Sequence, residues 1–408
     1  MKSRLIVLLG CCYLAISTEQ AFAQTNNNWK EWIDVQIKQH PRVISALEEL
    51  KASRSTIKGA SQPIYNPELE TELEKEGDEN NYRLGFKQTI DFNDRRDGYV
   101  NQAKFYSFET EKKYQSLIET QTFETLKAIV NRNIELKKSL IVQKQELLIS
   151  RLIEVFQSRK NTGDLAYIDA QLAFMALSNR LKSSADVFAE LRRSEALLAT
   201  QLPDWKQNIP FLTVPQSFWQ RNSDVNPELR SRSHPDVMAY EMRWKALRSE
   251  VDLAMKKQHA DPTFGINVGR QNNEDSVGLT FSIPLNIRNN FSSEVKAASE
   301  IALSAEESFK AEYLEKLQLI IGSEKVLFEY EKRYLHWQSI AKMALVDADT
   351  LLEKQWKSGD ISTTDYIQLL NQLSDGQMAG IELEQKWKLS YIELLLNEGS
   401  ISNAISNL

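Results

Sequence analysis

The chain repeats itself. His40-Pro41 returns as His234-Pro235, Asn66-Pro67 as Asp261-Pro262, and Gly163-Asp164-Leu165 with Asp169 as Gly359-Asp360-Ile361 with Asp365. Each pair lies about 195 residues apart, and three landmarks at one spacing mean one structural plan used twice. Any fold for the 408 residues must therefore hold two copies of that plan, residues 24–215 and 216–408. Each copy has the size of an ordinary domain.

Within each copy a short strand-turn-strand block interrupts a chain that otherwise reads as helix. In residues 262–285, Phe264, Ile266 and Val268 alternate with Thr263, Gly265, Asn267 and Gly269. After a polar turn, Val277, Leu279, Phe281, Ile283 and Leu285 continue the alternation. Strict period-two patterning predicts a hairpin with one oily and one polar face. The flanking helices read as too long to fold back as a lid, so lipid is one candidate cover and the interior of a mixed domain is the other. The earlier block, residues 66–92, repeats the pattern with Tyr82, Leu84, Phe86, Ile90 and Phe92. Its first strand sets Glu68, Glu70, Glu72 and Glu74 on one side, a row of carboxylates that fits only a wet face.

Scarce glycine (14) and proline (10) favour long uninterrupted elements. Pro41 to about Ser61 and Pro235 to about His259 read as helices that begin on proline, which suits a first turn. From about 94 to 158 there is no proline, and Leu126, Ile129, Leu136, Leu140 and Leu147 step like a coiled-coil seam. Gly163 then ends the helix and a second one returns to about residue 200, giving a helical hairpin over 94–200. The later copy repeats this over 290–397, with its turn at Gly359. Val295, Ala298, Ala302, Ala305 and Phe309 form a seam there, as do Trp337, Ala341, Ala344, Ala348 and Leu351.

Several function classes are excluded. A net charge of −6 and the lack of a basic stripe argue against nucleic-acid binding. None of the common phosphate, zinc-protease, hydrolase or dinucleotide signatures occurs, so neither an enzyme nor a cofactor is expected. The four histidines are scattered and no metal site is expected; the two in the His-Pro repeat suit capping. Lys2 and Arg4, the apolar run Leu5 to Ile16, and Ala21-Phe22-Ala23 have the layout of a secretory signal covering residues 1–23. An uncleaved anchor, or lipid on Cys11 after Leu8-Leu9-Gly10, are the alternatives. Both cysteines, Cys11 and Cys12, lie in this leader, so the mature chain would carry no thiol.

The duplicated plan, the blocks ending QTIDFNDRR and FSIPLNIRNN, and the tips GDLAYID and GDISTTD resemble the TolC family of outer-membrane efflux proteins. The second block is most similar to the branch serving heavy-metal or cation efflux pumps. The resemblance implies a mainly α protein with a membrane β part. Long antiparallel coiled-coil helices would form a periplasmic α-barrel, and each chain would give two hairpins to a homotrimeric 12-stranded β-barrel. It implies the Gram-negative outer membrane, with Phe264, Ile266, Val268, Val277, Leu279, Phe281, Ile283, Leu84 and Phe86 facing lipid. Gly163, Asp164, Leu165, Gly359, Asp360 and Ile361 would be tips that dock a periplasmic adaptor, joined to an inner-membrane pump of the RND type. The family's acidic gate position falls on Asp365, with Asp169 its equivalent in the first repeat. The second acidic position is Gln368 and the basic tip residue is Ile361, both departures from the family pattern. The implied function is a passive efflux duct, with a type I secretion duct or a pore-free periplasmic coiled-coil scaffold as alternatives.

Overall fold

The computed structural model describes residues 29–76, 79–160, 167–206, 212–220, 226–271, 274–344 and 348–408. Helix α1 (29–39) leads into α2 (Pro41–Ala60), then strands β1 (Glu68–Glu76) and β2 (Glu79–Thr89). Helix α3 (Arg95–Lys160) is followed by α4 (Tyr167–Gln201), a 3-10 turn at Gln216–Trp219 and the short α5 (Pro227–Ser233). The second copy runs α6 (Pro235–Lys257), β3 (Thr263–Gln271), β4 (Glu274–Ser282), α7 (Ser292–Ala344), α8 (Ala348–Ser358), α9 (Thr363–Asn397) and α10 (Ile401–Ser406). The order of elements is the duplicated one expected. With 66 residues, α3 is about 100 Å long at 1.5 Å per residue.

Two compact units form, and each draws on both sequence copies. Among the described residues one holds those within 29–44, 118–230 and 318–408, the other those within 45–117 and 231–317.

The second unit contains the sheet, an antiparallel meander β1-β2-β3-β4. Its central pairing joins the two hairpins, with Leu84 opposite Val268 and Phe86 opposite Ile266. Asp261, almost fully buried, fixes the base of that junction. Its carboxylate accepts from Tyr65 Oη at 2.9 Å and Asn93 Nδ2 at 2.8 Å, and pairs with Arg95 Nη1 at 3.2 Å. The strands stop earlier than the alternation suggests, at Thr89 and Ser282. Ile283 and Leu285 therefore lie beyond β4. Pro284 between them has no N–H to donate and restricts the residue before it, which ends the ladder. Helix α7 likewise starts at Ser292, two residues after the expected Asn290.

Both His-Pro pairs start helices in the same way. His234 Nδ1 accepts the Asp236 N–H at 3.1 Å, and His40 Nδ1 accepts the Arg42 N–H at 3.3 Å. The ring nitrogen thus satisfies a helix N–H that would otherwise be orphaned, while the proline occupies the first turn, where no N–H is needed.

In the first unit the buried line of α3 runs through Leu126, Val130, Ile134, Val142, Ile149 and Leu152. The expected seam holds in its first part, with Leu126 and Ile129 fully buried and Leu136 half-buried, but Leu140 and Leu147 are more than half exposed, as is Leu351 in α8. Beyond Leu136 the interior line passes to Val142, Ile149 and Leu152. By contrast Ala302 and Ala305 of α7 are buried as expected, packed with Leu247 in the other unit. A glycine also permits close packing on α9: a Cβ at Gly380 would run into the Trp337 ring, whose Nε1 donates to Gly376 O at 3.3 Å. The terminal α10 is held by Glu119 of α3, whose carboxylate accepts from Ile401 N at 2.8 Å and Ser402 N at 3.3 Å.

Candidate functional site

The sheet has two unlike faces. In register on one side stand Leu69 and Leu73 of β1, Tyr82, Leu84 and Phe86 of β2, Phe264, Ile266 and Val268 of β3, and Val277, Leu279 and Phe281 of β4. Every one of these is exposed, from 44% at Phe264 to 86% at Leu73. Phe264 and Phe281 touch across the strands with ring centroids 5.3 Å apart. Burying such a surface is worth roughly 25 cal/mol per Å², so a contiguous patch of this size calls for an apolar cover.

The opposite face is charged and bare. Glu72 pairs with Arg83 at 2.7 Å and Glu70 with Lys87 at 2.5 Å. Gly269 stands opposite Arg83 and Gly265 opposite Lys87. A side chain at Gly269 would collide with Tyr82 O, and one at Gly265 with Thr280 Oγ1 and Lys87 Cγ. These two glycines leave the space the long cationic side chains of β2 occupy. Among the described residues β1 and β4 have no further strand beside them, so the sheet leaves two rows of backbone donors and acceptors open.

At the end of α8 the chain turns as the repeat motif requires. Gly359 has φ +84°, a region where glycine carries no steric cost. Its N–H donates to Trp356 O at 3.1 Å and the Asp360 N–H to Gln355 O at 3.0 Å, the paired bonds of a Schellman turn. Ser358 Oγ then donates to Asp360 Oδ2 at 2.6 Å. Gly359 and Asp360 are exposed, whereas Ile361 is partly buried against the cluster formed by Leu152, Ala173, Tyr366, Ile367 and Leu370. Ile361 is thus a packing residue at this tip. Trp356 stacks on Tyr366 at 5.3 Å, and burial, followed by the nearby Glu353 and Asp349 carboxylates, pushes the Tyr366 hydroxyl up to about 12.

Asp365 and Gln368 are both exposed and share one face of α9. Asp365 also takes part in the cap of that helix. Its N–H donates to Ser362 Oγ at 3.1 Å and its carboxylate accepts from the same hydroxyl at 2.6 Å. Ser362 is thus the N-cap of α9, and the Asp365 carboxylate bonded to its hydroxyl places a negative charge at the positive end of the helix dipole. Gly163, Asp164 and Leu165 lie outside the described residues, as does the side chain of Asp169 in α4.

Two features escaped the sequence reading. One is the Asp261 junction, whose partners Tyr65, Asn93 and Arg95 come from the other repeat and so from far away in the chain. The other is the partnering of Arg180, whose Nη2 donates to Asn371 Oδ1 of α9 at 2.6 Å. Among the described residues no group of three His, Cys, Asp or Glu is placed to hold a metal ion. No described helix is long and apolar enough to cross a membrane, a statement that does not bear on strands.

No protein-family model matches the chain, and no curated protein matches it in sequence. Solved structures do. The channel CusC superposes with a TM-score of 0.75 at 11% identity, over 91% of this chain and 92% of that one. The Campylobacter jejuni CmeC outer-membrane channel gives 0.75 at 11% identity, over 91% and 85%. The open-state Neisseria gonorrhoeae MtrE outer-membrane channel gives 0.74 at 12% identity, over 91% and 88%. The chain has the fold of these outer-membrane channels. At such low identity the likeness rests on the path of the backbone through nearly the whole chain.

Proposed function

We propose that this protein is the outer-membrane exit duct of a tripartite efflux system, conducting solutes passively while an inner-membrane pump supplies the energy. The observation that carries this reading is the sheet. Four strands are too few to close on themselves, and in a bilayer open edges would strand backbone groups without partners. One face is predominantly apolar and the other charged or polar, so the sheet suits lipid outside and water inside once further copies pair with β1 and β4. Three copies supply twelve strands, as the TolC resemblance implies. The helical part then extends the duct through the periplasm, and the exposed Gly359-Asp360 turn is where an adaptor docks.

The neighbours are described as outer-membrane channels, and their superpositions are nearly equal, so they favour no cargo over another. The sequence resemblance to the heavy-metal or cation branch sets the first cargoes to try. The test is current through planar bilayers after addition of the purified protein, with its copy number determined by native mass spectrometry. Discrete steps of a trimer support the duct. A monomeric helical rod that never conducts would return the chain to the scaffold reading.

A further inference from the structure

The long helices differ in what their exposed faces carry. Helix α4 exposes Leu172, Phe174, Met175, Leu181 and Leu197, and α7 exposes Leu314, Val326, Phe328 and Leu335 among others. Among the described residues α9 exposes no large hydrophobic side chain anywhere along its 35 residues. Its exposed positions follow one line of steps of three and four, through Asp365, Gln368, Gln372, Asp375, Glu382 and Lys386, with only the small Ala379 between polar groups. The opposite side buries Tyr366, Ile367, Leu370, Trp387 and Tyr391. A helix with one fully packed side and one polar side is built to keep that side in water, whereas the apolar faces of α4 and α7 gain from being covered.

Among the described residues a cation from another helix reaches α9 in its tip-proximal third. Arg180 of α4 is partly buried, and its guanidinium is held on Asn371 at 2.6 Å. Asn371 is four residues, one turn, before Asp375, so the bond brings the guanidinium up against this stretch of the polar line. Burial lowers the Arg180 pKa, and the charge of Asp375, one turn beyond Asn371, works against that shift. Asp375 itself follows Asp365 by ten residues, about 15 Å along the helix.

We propose that the polar line of α9 is the conducting wall of the duct and that Asp375, with its charge partly offset by Arg180, is a second charge station setting ion selectivity. This rests on the duct reading. It also places the second acid of the pathway at residue 375 rather than at 368, where glutamine stands. The arrangement makes the two residues act with opposite sign. Removing the carboxylate weakens the attraction for cations, and removing the guanidinium uncovers it.

The experiment is the reversal potential across planar bilayers under a tenfold gradient of KCl, for wild type, Asp375→Asn and Arg180→Gln. Three charges acting through water at a distance on the order of 10 Å, screened at about 0.1 M salt, change the local cation concentration about twofold. Because anions respond in the opposite direction, the cation-to-anion permeability ratio should fall about two- to fourfold in Asp375→Asn. In Arg180→Gln it should rise. Both variants should keep wild-type trimer yield and melting temperature, since Asp375 is exposed and the amide introduced by Arg180→Gln still offers Asn371 a donor. Unchanged ratios in conducting, trimeric variants would overturn the Asp375 assignment and leave the duct standing. Shifts in the same direction for both would overturn the compensation. Absence of current from wild type would overturn the duct reading and this inference with it.

Discussion

Arginine at Val268 should abolish assembly, while arginine at the neighbouring Asn267 should be tolerated. Val268 sits in the middle of the exposed apolar face, with Leu84 on one side and Val277 on the other. A cationic side chain at the bilayer midplane costs about 2–4 kcal/mol in a membrane barrel, so three copies cost roughly 6–12 kcal/mol. At 1.4 kcal/mol per factor of ten, the lower figure already lowers the assembly constant by about four orders of magnitude. Asn267 points to the other face and is flanked in register by Gly85 and Gly278, which leave room for a longer side chain over the sheet. The assay is the amount of folded oligomer in the outer-membrane fraction, resolved on gels without boiling and compared with total protein. Equal oligomer from Val268→Arg and Asn267→Arg would refute the assignment of the apolar face to lipid.

Asp261→Ala should destabilise the sheet base by about 1–3 kcal/mol, because Tyr65 and Asn93 lose a buried acceptor and the partly exposed Arg95 loses its carboxylate partner, and Asp261→Asn should cost less; thermal unfolding checks both. Gly359→Leu should cost about 1–2 kcal/mol of local stability through its positive φ and abolish cellular efflux at normal oligomer yield, whereas Gly359→Asn should retain efflux. Nothing lies within 4 Å of a Cβ built at Gly359, so no clash complicates that comparison. At Glu384 burial raises the carboxyl pKa, but hydrogen bonds from Lys137 and Lys388 outweigh it and hold the group below its ordinary value of 4.5. A depressed carboxyl contributes stability above its unfolded pKa and loses it as pH falls through the folded one. The melting temperature should therefore decline below about pH 4.5 in wild type and decline less steeply in Glu384→Gln.

Much of this architecture was legible because its signals are local and redundant. The repeats announced two copies of one plan, the alternation around Ile266 and Leu279 gave both sheet faces, and Gly359 marked a turn that only a residue at home at positive φ makes cheaply. The interior line of α3 was less legible. Apolar residues lie on more than one side of that helix, and spacing alone favoured Leu140 and Leu147 over Val142 and Ile149. Strand ends were overrun because alternation continued through Ile283, while Pro284 stopped the ladder. The Asp261 junction was not readable, since its partners lie 166 to 196 residues away in the chain. At Asp365 spacing located the residue, but only the structure revealed the reciprocal bond with Ser362. The polar line of α9 could be read as steps of three and four, yet its meaning depends on which other faces are oily and exposed.

The central claim is that separate copies of the chain close one barrel through β1 and β4. Only Cys11 and Cys12 are native cysteines, so a pair can be placed freely, with one cysteine at Glu70 on β1 and the other scanned from Ser276 to Ser282 on β4. Facing residues on paired antiparallel strands hold their Cβ atoms about 4.5–5.5 Å apart, close enough for oxidation or a short cross-linker. Cross-linking in whole cells should give a ladder that ends at three copies. The one of Ser276, Gly278, Thr280 and Ser282 that stands opposite Glu70 on the shared polar face should react strongly and its same-face neighbours weakly, and cysteines at Val277 or Leu279 should not react. No cross-links at any position, or a ladder running past three, would contradict the closed barrel.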